Sequence, residues 1–295
     1  MILAAIDIGS NAARLLITDV HAYTDGSLDY TKLNLVRVPL RLGFDVFAHG
    51  SIGMERKLMM LKTMRAFQSL MDVYQVEHYK AAATSALRDA GNGRDIIDEI
   101  QKDCGLQIQI ITGQEEANII YENHFAEKLS NASAHLYIDV GGGSTECTLF
   151  CDDTVVAKES FNIGTIRMLT GKVEDKSWDA LKCFIKDNSK KYRSIDAIGS
   201  GGNINKIFSL SKKKNGRPLT LENLKDFYKQ MSPLTIEERM HLYDLKLDRA
   251  DVIVPALEIY TTIMRWANIT DIYVPQIGVA DGLIKILYKE IAANL

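Results

Sequence analysis

Leu136-Tyr137-Ile138-Asp139-Val140-Gly141-Gly142-Gly143-Ser144-Thr145-Glu146-Cys147-Thr148-Leu149-Phe150 sets an apolar run, an aspartate, three glycines and a second apolar run in succession. This pattern predicts a β-hairpin whose turn binds something. Consecutive glycines cost backbone entropy and add no packing, so they belong where the chain needs positive φ or where a ligand comes close to the main chain. Successive amides in such a turn form a nest for phosphate oxygens. Asp139 before the turn and Glu146 after it are placed to hold a hard cation such as Mg²⁺, which takes one or two carboxylates plus substrate phosphate. An ordinary tight hairpin with solvated acids is the alternative, and the stretch alone leaves both open.

Working outward, a second copy stands near the N-terminus. Ala4 to Ile17 reads Ala-Ala-Ile-Asp-Ile-Gly-Ser-Asn-Ala-Ala-Arg-Leu-Leu-Ile: strand, Asp, Gly/Ser/Asn turn, strand. Aligning Asp7 with Asp139 also aligns Gly9 with Gly141 and sets Arg14 against Glu146, at a constant offset of 132 residues. A large part of a domain is therefore expected to be duplicated, with a period too long for a solenoid. Two similar domains, each offering a hairpin turn to a shared cleft, are a natural clamp for a polyphosphate group.

Composition narrows the choices. At 295 residues the chain exceeds one hydrophobic core, and two domains of roughly 120 to 170 residues are expected. We place them at 1–122 and 123–295, with the final helix able to pack back on the first. Net charge is −3 and pI about 6.1, which argues against a dedicated nucleic-acid binder. No run of about 18 uncharged apolar residues marks a membrane span, so a soluble, cytoplasmic protein is expected. Four scattered cysteines fit a reducing compartment, with Cys147 and Cys151 read as packed thiols. The histidines show neither HxH nor HExxH spacing, which disfavours zinc.

Between the hairpins, Met54 to Tyr74 has helical apolar spacing, and its methionines read as core. Tyr79 to Ala83 is a short strand feeding Thr84-Ser85-Ala86-Leu87-Arg88, where outward-pointing amides favour anions. Arg88 is either a bidentate phosphate ligand or a surface arginine paired with Asp89 or Asp95. Gly113-Gln114-Glu115-Glu116-Ala117 opens a helix expected to run to about Glu127. One of its acids is a candidate general base, although acids in a first turn also simply complement the helix dipole. Beyond the second hairpin, Ile195 to Ile198 enters Gly199-Ser200-Gly201-Gly202, which resembles Thr84 to Arg88 in position and matches neither the Rossmann nor the Walker fingerprint. Lys212 to Lys214 lie in a basic loop, read as solvated. Strands and helices alternate in both halves, so the class is α/β.

Taken in order, Asp7-Ile8-Gly9-Ser10-Asn11 with Arg14, Thr84-Ser85-Ala86 with Arg88-Asp89-Ala90, Glu115-Glu116-Ala117, Asp139 to Glu146 and Gly199 to Gly202 resemble the exopolyphosphatase/guanosine pentaphosphate phosphohydrolase (Ppx/GppA) family. Asp281-Gly282-Leu283 is similar to its closing signature. The resemblance implies two ribonuclease-H-like domains of the actin-like superfamily around a cleft, Mg²⁺-dependent release of terminal phosphate, and a homodimer. It places the catalytic glutamate at Glu116, metal and phosphate carboxylates at Asp139 and Glu146 with Asp7 as a further metal candidate, and a catalytic phosphate-binding arginine at Arg88. Gly9, Ser10, Asn11, Arg14, Gly141, Gly142, Gly143, Ser144, Gly201 and Gly202 would hold phosphate.

Asn203 stands where the family pattern has threonine, and Ala12 where it has serine. The length is that of the short family form, which points to short polyphosphate chains, with guanosine pentaphosphate as the other substrate. A small-molecule kinase on the same fold and a non-hydrolytic polyphosphate or nucleotide sensor are the alternatives. Neither a nucleic acid duplex nor a membrane is expected as a partner.

Overall fold

A computed structural model describes residues 1–121, 134–151, 154–275 and 277–293. The chain divides into two compact units, Met1–Asn123 with Gly278–Leu295, and His124–Ile277. The first contains β1 (Ile2–Ile8), β2 (Ala13–Ala22), β3 (Leu28–Val38), α1 (Leu42–His49), α2 (Met54–Val73), β4 (His78–Ala83), α3 (Ser85–Asp89), α4 (Gly93–Cys104), β5 (Gln109–Ile110) and α5 (Gly113–Tyr121). The second contains β6 (Ala134–Val140), β7 (Thr145–Cys151), β8 (Thr154–Phe161), α6 (Thr165–Leu169), α7 (Asp175–Ser189), β9 (Ile195–Ser200), α8 (Gly202–Leu210), β10 (Leu219–Thr220), α9 (Leu221–Met231), α10 (Ile236–Tyr243), α11 (Leu247–Ala250), α12 (Ile253–Ala267) and β11 (Asp271–Tyr273). The helix α13 (Val279–Ala292) returns to the first unit and packs on β1, β2, β4 and α5.

Both sheets are mixed and share one order. In the first it is β3-β2-β1-β4-β5; in the second, β8-β7-β6-β9-β11 with β10 added at the edge. Three antiparallel strands continue into two parallel ones in each, the ribonuclease-H-like arrangement. Even an irregularity is repeated. The register slips between Ile17 and Thr18 on β2 and between Leu149 and Phe150 on β7, again 132 residues apart. Such bulges bend a strand and are retained as features of a fold.

The central strands β1 and β6 are apolar because both faces are covered, with Leu3 to Ile6 and Ile138 fully buried. On α2, Met60, Met64, Phe67 and Met71 form the buried stripe, as the methionine spacing predicts.

Two segments depart from expectation. Leu42 to Gly53 reads as loop, yet α1 forms there. Gly43 lowers its intrinsic helicity, but burial of Leu42, Val46 and Phe47 overrides propensity. The segment 249–267 reads as one helix, yet it breaks between α11 and α12. Pro255 lacks an N–H and its ring would clash with the carbonyl four residues back, so it is accommodated only in the first turn of α12. The expected end of α5 near Glu127 lies outside the described residues.

Candidate active site

The two hairpins close by the same hydrogen bond. Gly9 N–H donates to the Ala12 carbonyl at 3.0 Å, and Gly141 N–H to the Ser144 carbonyl at 2.9 Å. In each unit, the loop after the third strand then pins the turn from behind. Arg41 and Gly43 amides reach the Asn11 and Ser10 carbonyls at 2.9 and 2.8 Å; Thr165 and Ile166 amides reach Gly141 and Gly142 at 3.0 and 2.8 Å. Arg167 adds an Nε–H bond to the Gly143 carbonyl at 2.8 Å. Gly164 must be glycine here, because a Cβ would stand 2.5 Å from the backbone of Gly142 and Gly143.

The residues at the mouths of the hairpins differ. Asp7 faces Arg14 across β1 and β2, and Arg14 Nη1 donates to Asp7 Oδ2 at 2.7 Å. That aspartate is buried and already neutralised. At the same register in the second unit, Asp139 faces Glu146, and an oxygen of each lies within 4.8 Å of the other. Like charges directly opposite on a sheet repel.

Both carboxylates are nevertheless held in place. Ser200 Oγ donates to Asp139 Oδ1 at 2.6 Å, and Ser160 Oγ to Glu146 Oε1 at 2.8 Å. The Ser200 carbonyl accepts in turn from the hydroxyl of the buried Tyr260. Gly201 comes so close to Asp139 that a Cβ would meet Oδ1 at 3.1 Å, and its φ of 109° needs glycine in any case. Gly202 begins α8. Burial, and then the negative charges of Glu146 and Glu159, push the Cys147 thiol well above its ordinary pKa.

In the first unit, Ser10 and Ser85 share a hydroxyl–hydroxyl bond at 2.7 Å, joining the hairpin turn to the start of α3. Arg88 Nη1 donates to the Ile111 carbonyl at 2.9 Å, and its Nε lies 3.8 Å from Asp89. That ties Arg88 to the chain just before α5. The adjacent glutamates separate there. Glu115 caps the helix, accepting from the Thr112 amide at 2.7 Å while its own amide donates to Thr112 Oγ1 at 3.1 Å. Glu116 is buried instead. Asn203, where threonine was expected, is also buried and accepts from Arg249 Nη1 at 2.6 Å.

The profile of the Ppx/GppA phosphatase family matches residues 22–290. The chain belongs to this family. Exopolyphosphatase 1 of Mycobacterium tuberculosis is 24% identical over 309 residues, covering 96% of this chain and 87% of that relative. A guanosine-5'-triphosphate,3'-diphosphate pyrophosphatase of Vibrio parahaemolyticus is 24% identical over 99% of this chain, which spans 60% of that protein. The crystal structure of an exopolyphosphatase from Cytophaga hutchinsonii superimposes with a TM-score of 0.83 at 22% identity, covering 99% of this chain and 98% of the other. That likeness establishes the two-domain α/β fold.

For this Ppx/GppA phosphatase, the carboxylate pair also passes a chemical test for a divalent cation. Asp139 and Glu146 are hard oxygen donors, fixed by serine hydroxyls and brought together at a cost that a cation would offset. Ser160 escaped the sequence reading because its only signal is that it lies in register with Glu146 across a bulged strand pair. Among the described residues, no helix is long and apolar enough to cross a membrane.

Proposed function

We propose that this chain hydrolyses the terminal phosphoanhydride bond of inorganic polyphosphate, short chains first, with guanosine pentaphosphate as the second candidate substrate. The observation that carries this conclusion is the replacement of the neutralised Asp7–Arg14 pair by the carboxylate pair Asp139 and Glu146 at the same register. Relatives named for exopolyphosphatase and for guanosine pentaphosphate pyrophosphatase activity support the substrate class.

Asp139 and Glu146 would hold Mg²⁺, which when bound supplies positive charge to the phosphate oxygens. Glu116 accepts the proton of the attacking water. Its place in the first turn of α5 suits an anion. The Gly142 to Ser144 amides and Arg88 balance the charge that develops on the transferred phosphoryl group, and such positioned donors dominate phosphoryl transfer; the Gly141 amide, named with them from the sequence, instead closes the turn on the Ser144 carbonyl. Ser10, Asn11, Gly201 and Gly202 seat the remaining phosphates, while the Gly9 amide closes the first turn on the Ala12 carbonyl. Arg14 balances Asp7, so that aspartate serves the turn and not the cation.

The test is phosphate release with Mg²⁺ on short polyphosphate, long polyphosphate and guanosine pentaphosphate in parallel. Glu116→Gln should lower turnover by roughly 10² to 10⁴ with substrate binding retained. A parent-like rate in that variant would remove Glu116 from the role of base. Release from none of the three would overturn the proposed activity.

A further inference from the structure

The sheet of the second unit has another end. β9 enters at Ile195 and leaves at Ser200 beside Asp139, so its start lies about 16 Å from the carboxylate pair at ~3.3 Å per residue. There the turn after α7 and the C-terminal end of α12 border a surface cleft of about 460 Å³. Its walls carry Lys186, Lys190, Arg193, Tyr192 and Trp266, with no aspartate or glutamate among the lining residues. Lys182 places its Nζ 6.0 Å from the centre of the Trp266 ring. Lys182 and Lys186 share one face of α7, and Lys190, its C-cap residue, continues the four-residue spacing. Lys190 has an acidic neighbour, Asp187, at 2.9 Å, but both side chains are largely exposed.

Lysines near a helix C-terminus complement its dipole, and that alone accounts for Lys186 and Lys190. It does not account for Arg193 beyond the helix, or for two aromatic rings set among cations in an acid-lined-nowhere cleft. We propose that this cleft binds a phosphate-bearing anion, a run of two or three phosphates held by Lys186, Lys190 and Arg193. Arginine matches phosphate bidentately, lysine adds point charge, and the Ser194 hydroxyl completes the donors. The volume lies in the range of small-molecule sites. The phosphates can belong to a bare chain or to a nucleotide, whose base would lie on Tyr192 or Trp266. The site is separate from the carboxylate pair and does not rest on the activity proposed above.

The chain has two tryptophans, Trp178 and Trp266, packed edge to face with centroids 6.1 Å apart. Intrinsic fluorescence of the whole protein therefore reports on this cleft. Sodium tripolyphosphate and GTP, titrated separately in EDTA at constant ionic strength, should give a saturable change. Lys186→Glu with Arg193→Glu should weaken it roughly tenfold or more, with only a small fall in melting temperature, because both side chains are exposed and the loss is that of the Lys186 interaction with the helix end. Glu146→Gln should titrate like the parent. Saturation by tripolyphosphate identifies the phosphates as what is held; saturation by GTP alone shows that the base is needed as well. No saturable change with either ligand, or an unaltered titration in the double variant, would overturn the proposal.

Discussion

The two hairpins share strand order, turn closure and the same bulge, and they differ in one charge. Arg14 neutralises Asp7 in the first; Glu146 opposes Asp139 in the second. The first pair is complete in itself, so it stabilises its turn. The second sets two carboxylates opposite one another, each held by a serine hydroxyl. The shape occurs twice, and the exchange of Arg14 for Glu146 at the strand mouth is the difference on which the proposed chemistry rests.

The sharpest way to break this comparison is Glu146→Arg, which recreates the first pair in the second hairpin. Phosphate release should fall by about 10³ or more, the scale of losing a positioned electrostatic group, and calorimetry should find Mg²⁺ binding lost. Retained activity would show that the charge exchange is not what distinguishes the copies. Next in size is Gly164→Ala, which drives a Cβ into backbone at 2.5 Å, whereas the matching Gly43→Ala meets the movable Phe47 ring at 2.7 Å. Denaturant unfolding should show a loss of about 1–3 kcal/mol for the former and less for the latter.

Arg14→Met removes one partner of a pair whose aspartate is 4% exposed and whose arginine is 31% exposed. It should cost about 1–3 kcal/mol in the same assay, since a nearly buried carboxylate is left behind. The smallest effect is a titration. Because burial and then the charges of Glu146 and Glu159 raise the Cys147 pKa, its thiol stays protonated at pH 8. A thiol reagent should label the exposed Cys183 there and spare Cys147.

Much of the fold was legible because hairpin arithmetic is local. Asp139 and Glu146 flank the turn symmetrically, so closing it must set them opposite one another, and the same holds for Asp7 and Arg14. What stayed hidden depends on distance in the chain. Helical spacing does not separate Glu115 from Glu116, which only the family resemblance tells apart in the sequence, and the turn of the helix decides which reaches Thr112. Ser160 reaches Glu146 through a third strand that slips register on the way. Helix α1 forms because buried neighbours from other elements receive Leu42, Val46 and Phe47, and nothing in its own eight residues announces them.

The first unit is written in two pieces, and that has a consequence for synthesis. α13 fills a seat against β1, β2, β4 and α5, with Gly282 so near Ile119 that a Cβ would lie 1.9 Å from its carbonyl oxygen. The strands of that unit leave the ribosome before the second unit does, yet the unit cannot close until Val279 to Ala292 have followed the whole of the second. Early in translation its apolar sheet face stands uncovered, while the second unit can finish folding from contiguous chain. The order of emergence is therefore the reverse of the order of completion, and a helix made after the second unit is the one that seals the strands of the first.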